Sequence, residues 1–281
     1  MYEILFKEIF SENTKLIRVK AADIAKKSKA GQFVIIRVSE EGERIPLTLA
    51  DFNPDEGSIT LVYQEVGKST IQLGTFEKGE YLTSVTGPLG CATEIEKLGT
   101  VVCVAGGVGI APIYPIAREL KKAGNRLISI IGARTKNLLF WEKRMSEISD
   151  EIIICTDDGS YGRKCVVTVP LKEILEENRD TIKKVWAIGP AIMMKFCSAT
   201  TLEYKTPTIV SLNSIMVDGT GMCGACRVEV DGQTKFVCVD GPEFNGHSVD
   251  WNLVIARQRT YLDEEKHAMD MYKSKKCMCK S

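Results

Sequence analysis

The sequence predicts a mixed β and α/β chain: an N-terminal antiparallel β-barrel, a Rossmann-like parallel α/β domain, and a small C-terminal subdomain built around cysteines. Three observations carry this. Residues 1–98 are short β-branched and aromatic runs punctuated by Gly, Asn, Pro and Asp, the pattern of a small antiparallel barrel. From Thr100 onward, apolar runs alternate with helical patterns around a glycine turn, the pattern of a parallel sheet. Between Met216 and Cys238 stand three cysteines, with Gly219, Gly221 and Gly224 around the first two.

In order, the barrel strands are expected at Tyr2–Phe10, Thr14–Lys20, Gln32–Arg37, Ser58–Tyr63 and Tyr81–Thr86, with a helical turn near Ile71–Phe76. Arg44–Thr48 is read as a connection between two β segments. The second block begins with a strand at Thr100–Ala105, the turn Gly106–Pro112 and a helix over Ile113–Ala123. A strand at Leu127–Ile131, a helix at Leu138–Ile148, and strands at Glu151–Thr156 and Lys184–Ile188 follow. Short strands at Cys226–Val230 and Thr234–Val239 flank the cysteines. A charged tail from Asn252 ends in Cys277 and Cys279. The expected units are residues 1–98, 99–205, 206–250 and a helix or arm at 251–281.

At 281 residues the chain has room for about two domains and a small third. Lys+Arg and Asp+Glu are equal at 37 each, which argues against a nucleic-acid face or a polybasic membrane patch. No apolar run is long enough for a membrane span, and the first residues lack the apolar core of a secretory leader. Ten cysteines in such a chain suggest a reducing cytoplasm and metal or redox use. With only His247 and His267, histidine acid–base chemistry has little support.

Cys223 and Cys226 are two residues apart and Cys238 follows after eleven more; Asp218 stands five positions before Cys223. That is the plant-type [2Fe–2S] spacing with Asp218 in the place of the first thiolate. Gly219, Gly221 and Gly224 allow the backbone to fold around a metal without Cβ clashes. The same residues could hold structural zinc, or the cysteines could be buried thiols. Spacing alone leaves these open.

Gly107 and Gly109 lie where a strand passes into a helix, so free backbone N–H groups can meet a pyrophosphate. Pro112 is expected at the first helical position, and its presence departs from the G-x-G-x-x-G fingerprint. Asp157, at the end of a later strand, suits ribose hydroxyls and leans towards NAD(H); Arg134, ending the neighbouring strand, leans towards a 2′-phosphate. On the barrel, Arg44 offers a bidentate fork for a diphosphate. Gly67, Ser69 and Thr70 open a helix with N–H and hydroxyl donors, although Ser-Thr at such a place also serves as an ordinary cap.

Arg44-Ile45-Pro46-Leu47-Thr48, Val62-Tyr63-Gln64 with Gly67-Lys68-Ser69-Thr70, Gly87–Gly90, Gly106–Pro112, Ala187–Pro190 and the cysteine stretch occur in one order. Together they resemble the ferredoxin–NADP reductase superfamily over essentially the whole chain. The last motif is similar to a branch that includes the electron-transfer subunit of dihydroorotate dehydrogenase and the small subunit of NADH-dependent reduced ferredoxin:NADP oxidoreductase. The resemblance implies FAD held by Arg44, Ile45, Pro46, Leu47 and Thr48, by Val62, Tyr63 and Gln64, and by Gly67, Ser69 and Thr70. It implies NAD(H) at Gly107, Gly109 and the strand ends carrying Arg134 and Asp157, and a [2Fe–2S] cluster on Cys223, Cys226 and Cys238. The dihydroorotate branch has a fourth cysteine where this chain has Asp218, which favours the ferredoxin:NADP branch.

Hydride exchange between nicotinamide and flavin, tuned by Thr48 near flavin N5, and single-electron exit through the cluster are the implied chemistry. No [4Fe–4S] motif or second flavin motif is present. A larger partner subunit is therefore expected, carrying a second FAD, [4Fe–4S] clusters and an NADP(H) site, serving ferredoxin and performing electron bifurcation. The competing expectations are the electron subunit of dihydroorotate dehydrogenase and a zinc-stabilised, non-catalytic binding module.

Overall fold

A computed structural model describes residues 1–278. The first sheet comprises β1 (Tyr2–Ile9), β2 (Thr14–Lys20), β3 (Phe33–Arg37), β4 (Arg44–Asn53), β5 (Ser58–Gln64), β6 (Tyr81–Leu82) and β7 (Ser84–Leu89), with α1 (Ala22–Lys27) and α2 (Lys68–Leu73) between them. Its order is β6-β1-β2-β5-β4-β3-β7 and every pairing is antiparallel. Strand alternation sorts the side chains. Ile17, Val19, Ile59, Leu61 and Tyr63 fill the barrel interior. Leu16 and Val62 face outward into the core of the second domain.

Three local expectations are corrected here. Arg44–Thr48 is the first half of a ten-residue strand, not a connection; Pro46 is tolerated because only one edge of the strand is paired there. The helical turn lies at Lys68–Leu73, three residues earlier than expected. The 81–86 run is divided between β6 and β7, so the chain changes strand partner at Thr83.

The second sheet begins with β8 (Thr100–Gly106), then α3 (Ile110–Lys122), β9 (Arg126–Ala133), α4 (Glu142–Ile148), β10 (Glu151–Thr156), β11 (Arg163–Lys164), α5 (Thr168–Glu177), β12 (Ile182–Ile188), α6 (Ala191–Glu203) and β13 (Thr208–Ser211). β14 (Arg227–Val230) and β15 (Gln233–Phe236) form a hairpin, α7 (Val237–Asp240) follows, and β16 (Glu243–Asn245) returns to the sheet edge. The sheet order is β11-β10-β9-β8-β12-β13-β16, parallel except for β16. The strand order therefore turns back between β8 and β12, the place where an open α/β sheet forms its crevice beyond the strand ends. Because β13 and β16 belong to this sheet, it continues past the boundary expected at 205.

The expected 138–148 helix is broken: a 3₁₀ turn at Lys136–Leu138 precedes α4, and Trp141 sits between them at φ 56°. α3 starts at Ile110, which puts Pro112 third in the helix instead of first; its missing N–H is still one of those with no intrahelical partner. The tail forms α8 (Trp251–Arg257) and α9 (Leu262–Met278), while Cys279 lies outside the described residues. Among the described residues no helix is long and apolar enough to cross a membrane.

The barrel and second sheet are joined by charge. Asp51 of β4 accepts from Arg118 of α3 and from Arg144 of α4, at 2.6 Å each. The Arg144 guanidinium also lies 4.2 Å and 4.3 Å from the Tyr114 and Trp141 ring centres, a desolvating aromatic setting that strengthens the pair.

Candidate functional site: a strand gap, a glycine crevice and a cysteine loop

β4 changes partner part-way along its length. Arg44–Thr48 pairs with β3, whereas Leu49–Asn53 pairs with β5. β5 beyond Leu61 stays with β2 alone, through Gln64. The edges Arg44–Thr48 and Val62–Gln64 thus part from each other, leaving unpaired strand edges either side of a gap. Backbone polar groups in such a gap need partners from outside the sheet.

The side chains around the gap divide sharply. The Arg44 guanidinium is exposed and has no ion pair among the described residues, and the Thr48 hydroxyl has no hydrogen bond there. Val62 is turned into the neighbouring core and Tyr63 into the barrel, so at these two positions only the backbone edge faces the gap. The buried Tyr63 hydroxyl has no partner among the described residues, and burial, then Glu65, raises its pKa. Gln64 reaches Thr14 at 3.5 Å. Ser69 donates to Glu43 at 2.8 Å. Thr70 accepts from the Val66 and Gly67 N–H groups, both at 3.1 Å, and donates to the Gly67 carbonyl at 3.0 Å. The Ser69 and Thr70 hydroxyls are therefore committed to the protein, which leaves the first N–H groups of α2.

At the crevice, Gly107 has φ 55° and open space where a Cβ would stand. Gly109 differs, because a Cβ there would lie 2.2 Å from the Ile188 carbonyl oxygen of β12. One glycine leaves open space above it, and the other lets the turn into α3 lie against the end of β12. Arg134 and Asp157 are exposed at the ends of β9 and β10, adjacent parallel strands. The Asp157 N–H donates to Ala133 at 3.1 Å, while its carboxylate has no partner among the described residues. Asp158 instead caps its own turn through Ser160.

The cysteine loop separates its four candidates into two pairs. Cys226 and Cys238 are buried with their sulfurs 3.3 Å apart. Cys223 is exposed and Asp218 half-buried, and the Cys223 N–H donates to Asp218 at 3.0 Å. Gly219, Gly221 and Gly224 have φ of 78°, 86° and 67°, left-handed values that favour glycine. The Thr220 N–H holds the Asp218 carboxyl below its usual range, with Cys223 assisting. Burial, then Cys226, pushes the Cys238 thiol up to about 12, so an incoming metal must displace that proton. Two candidate donors at each end of the loop match the division between two irons, and this donor set fits a [2Fe–2S] group.

The loop is seated on the barrel. A Cβ on Gly219 would lie 2.9 Å from both Ile35 of β3 and Leu89 of β7. The Cys91 N–H donates to Gly241 at 2.6 Å. These contacts had no signal in the sequence beyond the glycines of Gly87–Gly90.

Residues 213–250 match the iron–sulfur cluster binding domain of dihydroorotate dehydrogenase B. The chain is 48% identical over 270 residues to the dihydroorotate dehydrogenase B (NAD(+)) electron transfer subunit homolog of Thermotoga maritima, covering 96% of this chain and 95% of that one. The chain belongs to the dihydroorotate dehydrogenase B electron-transfer subunit family. A further member of the family, the electron transfer subunit from Geobacillus thermodenitrificans, is 31% identical and covers 88% of this chain and 96% of its own length. Among solved structures, a chain of the NADH-dependent reduced ferredoxin–NADP oxidoreductase, described in connection with flavin-based electron bifurcation, superposes with a TM-score of 0.91 at 46% identity. It covers 97% of this chain and 98% of its own. A ferredoxin NADP+ reductase from Neisseria gonorrhoeae, with a TM-score of 0.58 and 15% identity over 73% of this chain and 91% of that one, shares the fold. The family thus joins a reductase-like fold to an iron–sulfur domain, the architecture expected from the motif order.

Proposed function

We propose that this chain is an NAD(H)-linked electron-transfer flavoprotein subunit that passes electrons among NAD(H), FAD and a [2Fe–2S] cluster to a larger partner subunit. The observation that carries the reading is the seat of the cysteine loop. Gly219 packs on Ile35, and Ile35 is paired in register with Pro46 on the strand that borders the gap. A one-electron site thus lies one strand away from the place suited to a flavin.

When bound, FAD supplies exchange of two electrons with a nicotinamide and of single electrons with an iron–sulfur group. The protein then has to bind and orient. Arg44, charged and uncommitted, neutralises the FAD diphosphate, with the α2 amides opened by Gly67 beside it. The edges of Arg44–Thr48 and Val62–Gln64 supply backbone donors and acceptors. Thr48 is the residue assigned to orient the reacting ring, its hydroxyl being free to do so. Gly107 admits the nicotinamide dinucleotide at the crevice, where Asp157 receives ribose hydroxyls and Arg134 covers the adjacent strand end. Asp218, Cys223, Cys226 and Cys238 are assigned as the cluster ligands.

The functional units are taken as 1–98 for FAD, 99–205 for NAD(H), 206–250 for the cluster and 251–281 as an arm. We assign the chain to the bifurcating NADH-dependent ferredoxin:NADP branch, in the cytoplasm, with a partner holding a second FAD, [4Fe–4S] clusters and the NADP(H) site and serving ferredoxin. Asp218 in the first ligand position supports that branch. The second reading, a subunit delivering electrons for dihydroorotate oxidation, is supported by relatives near 31% identity. Purification of the native complex distinguishes them. The expected result is flavin and iron–sulfur absorption bleached by NADH, with a large iron–sulfur flavoprotein co-purifying. A dihydroorotate-oxidising partner would favour the second reading, and a colourless zinc protein would overturn both.

A further inference from the structure

Two thiols outside the electron route stand together at the nucleotide edge. Cys155, near the end of β10, is buried; Cys165, just past β11, is half-buried. Their sulfurs are 3.4 Å apart. Strand pairing puts them there. Cys155 is in register with Arg163 and Thr156 with Lys164, and the Cys165 N–H donates back to the Arg163 carbonyl at 3.0 Å.

The surrounding turn is braced without either sulfur. Arg163 makes two 2.7 Å contacts with Glu173. Thr156 Oγ1 accepts from the Tyr161 N–H at 3.0 Å and donates to the Tyr161 carbonyl at 2.7 Å. Gly162 is packed so closely that a Cβ would lie 2.3 Å from the Ile154 carbonyl oxygen. Between the two thiols runs the segment 156–164, which carries Asp157.

We propose that Cys155 and Cys165 are a redox-responsive dithiol whose oxidation closes a covalent ring around the Asp157 turn and weakens nucleotide binding there. A disulfide requires a sulfur separation of about 2.05 Å. The two sulfurs approach from 3.4 Å, and the bond then ties the chain after β11 to the end of β10 and restrains the turn between them.

The oxidant is a low-molecular-weight disulfide, RSSR. Burial, then the Cys165 neighbour, raises the Cys155 thiol, so the more accessible Cys165 attacks first as the thiolate. It forms a Cys165–S–S–R bond, breaks the S–S bond of RSSR and releases RS⁻. Cys155 then loses its proton and attacks the Cys165 sulfur, forming the Cys155–Cys165 bond and releasing the second RS⁻. Two electrons pass from the cysteine sulfurs to RSSR, and the two protons end on two RSH.

The effect on affinity rests on the NAD(H) reading; formation of the bond does not. The test is treatment of the intact complex with oxidised glutathione, followed by alkylation, proteolysis and mass spectrometry, with NADH titrated before and after. The expected result is one linked peptide pair containing Cys155 and Cys165, lighter by two hydrogens than the separate peptides, and NADH binding weakened about fivefold, the low end of ordinary coupling between sites. Reductant restores both, and Cys155→Ser or Cys165→Ser abolishes the response. Glutathionylation of exposed Cys91 shows that the reagent acted. If Cys91 reacts while Cys155 and Cys165 remain separately alkylated, or if Cys165 stops at the mixed disulfide, the dithiol is overturned. A linked pair with unchanged NADH affinity overturns the switch, whereas absence of NADH binding before treatment refutes the functional reading and leaves the dithiol standing.

Discussion

The two ends of the cysteine loop are held in different ways. Cys226 and Cys238 belong to the apolar core shared with β12, β13 and β14, and burial holds their sulfurs together. Asp218 and Cys223 sit on an exposed turn whose shape comes from glycines and from the Cys223 N–H bond to Asp218. The same contrast runs through the molecule. Asp51 has both carboxylate oxygens committed to arginines, while among the described residues Arg44, Arg134 and Asp157 have none of their charge matched by the protein. Committed groups build the frame, and these uncommitted charges are the ones assigned above to bound groups.

The sharpest way to break this contrast is to remove one member of each cysteine pair. Cys238→Ala takes an assigned ligand and a core side chain together. We expect loss of essentially all cluster iron and a destabilisation of about 1–2 kcal/mol from the deleted buried group. Cys223→Ala removes an exposed, assigned ligand, so cluster loss is expected with an unfolding midpoint close to that of the metal-free parent. Iron content and denaturant unfolding of metal-free protein provide the two readouts. Equal destabilisation by both substitutions would show that the core does not anchor one pair more than the other.

Much of this division was legible in the sequence because it is written in residue type and spacing. Alternating apolar runs marked the barrel strands, and the spacing of Cys223, Cys226, Cys238 and Asp218 singled them out as candidate ligands. Tertiary commitments were not legible. Ser69 and Thr70 looked available to a phosphate, but Glu43, distant in sequence, takes one hydroxyl and the preceding loop takes the other. Arg44–Thr48 looked like a turn around Pro46, because nothing local reveals that β4 exchanges β5 for β3 half-way along. α5 and α6 went unmarked: α6 has apolar residues all round, which hides the helical period, and its exposed Ile192 and Phe196 weaken the pattern further.

A half-buried acid tests the committed side of the contrast. The Glu243 carboxyl accepts from Thr93 at 2.6 Å and lies near Lys184 and Glu94. Burial pushes its pKa up to about 7 from 4.5, against the opposing pull of Thr93. An unfolded chain ionises this group near 4.5 while the folded one retains the proton, so stability falls as pH rises through 4.5 to 7. Glu243→Gln should remove that loss, leaving stability unchanged below the window and raising it on the order of 2–3 kcal/mol above it. Denaturant unfolding at about pH 4 and about pH 8, on either side of the window, checks the sign. A gain confined to the acid side would contradict the burial argument.

On the uncommitted side, Arg44→Ala removes no side-chain ion pair, so the fold should be unaffected while FAD retention weakens by about tenfold or more, the usual worth of a charged hydrogen bond. Flavin released on gel filtration is the measure. Full flavin occupancy would remove Arg44 from the site.

The smallest and most selective test concerns Asp218. As a cluster ligand it replaces a thiolate by a harder, less electron-donating carboxylate. Asp218→Cys should therefore retain the cluster and lower its reduction potential, by a few tens of millivolts or more given how strongly ligand identity and hydrogen bonding tune these centres. The substitution also deletes the acceptor for the Cys223 and Thr220 N–H groups, and a rearranged loop would shift the potential by itself. Asp218→Asn separates the two effects, because the amide oxygen keeps an acceptor for those N–H groups while losing the negative charge. A lower potential in Asp218→Cys together with a raised one or cluster loss in Asp218→Asn identifies a ligand. Potentials unchanged in both variants assign Asp218 to the turn alone, placing it among the committed groups.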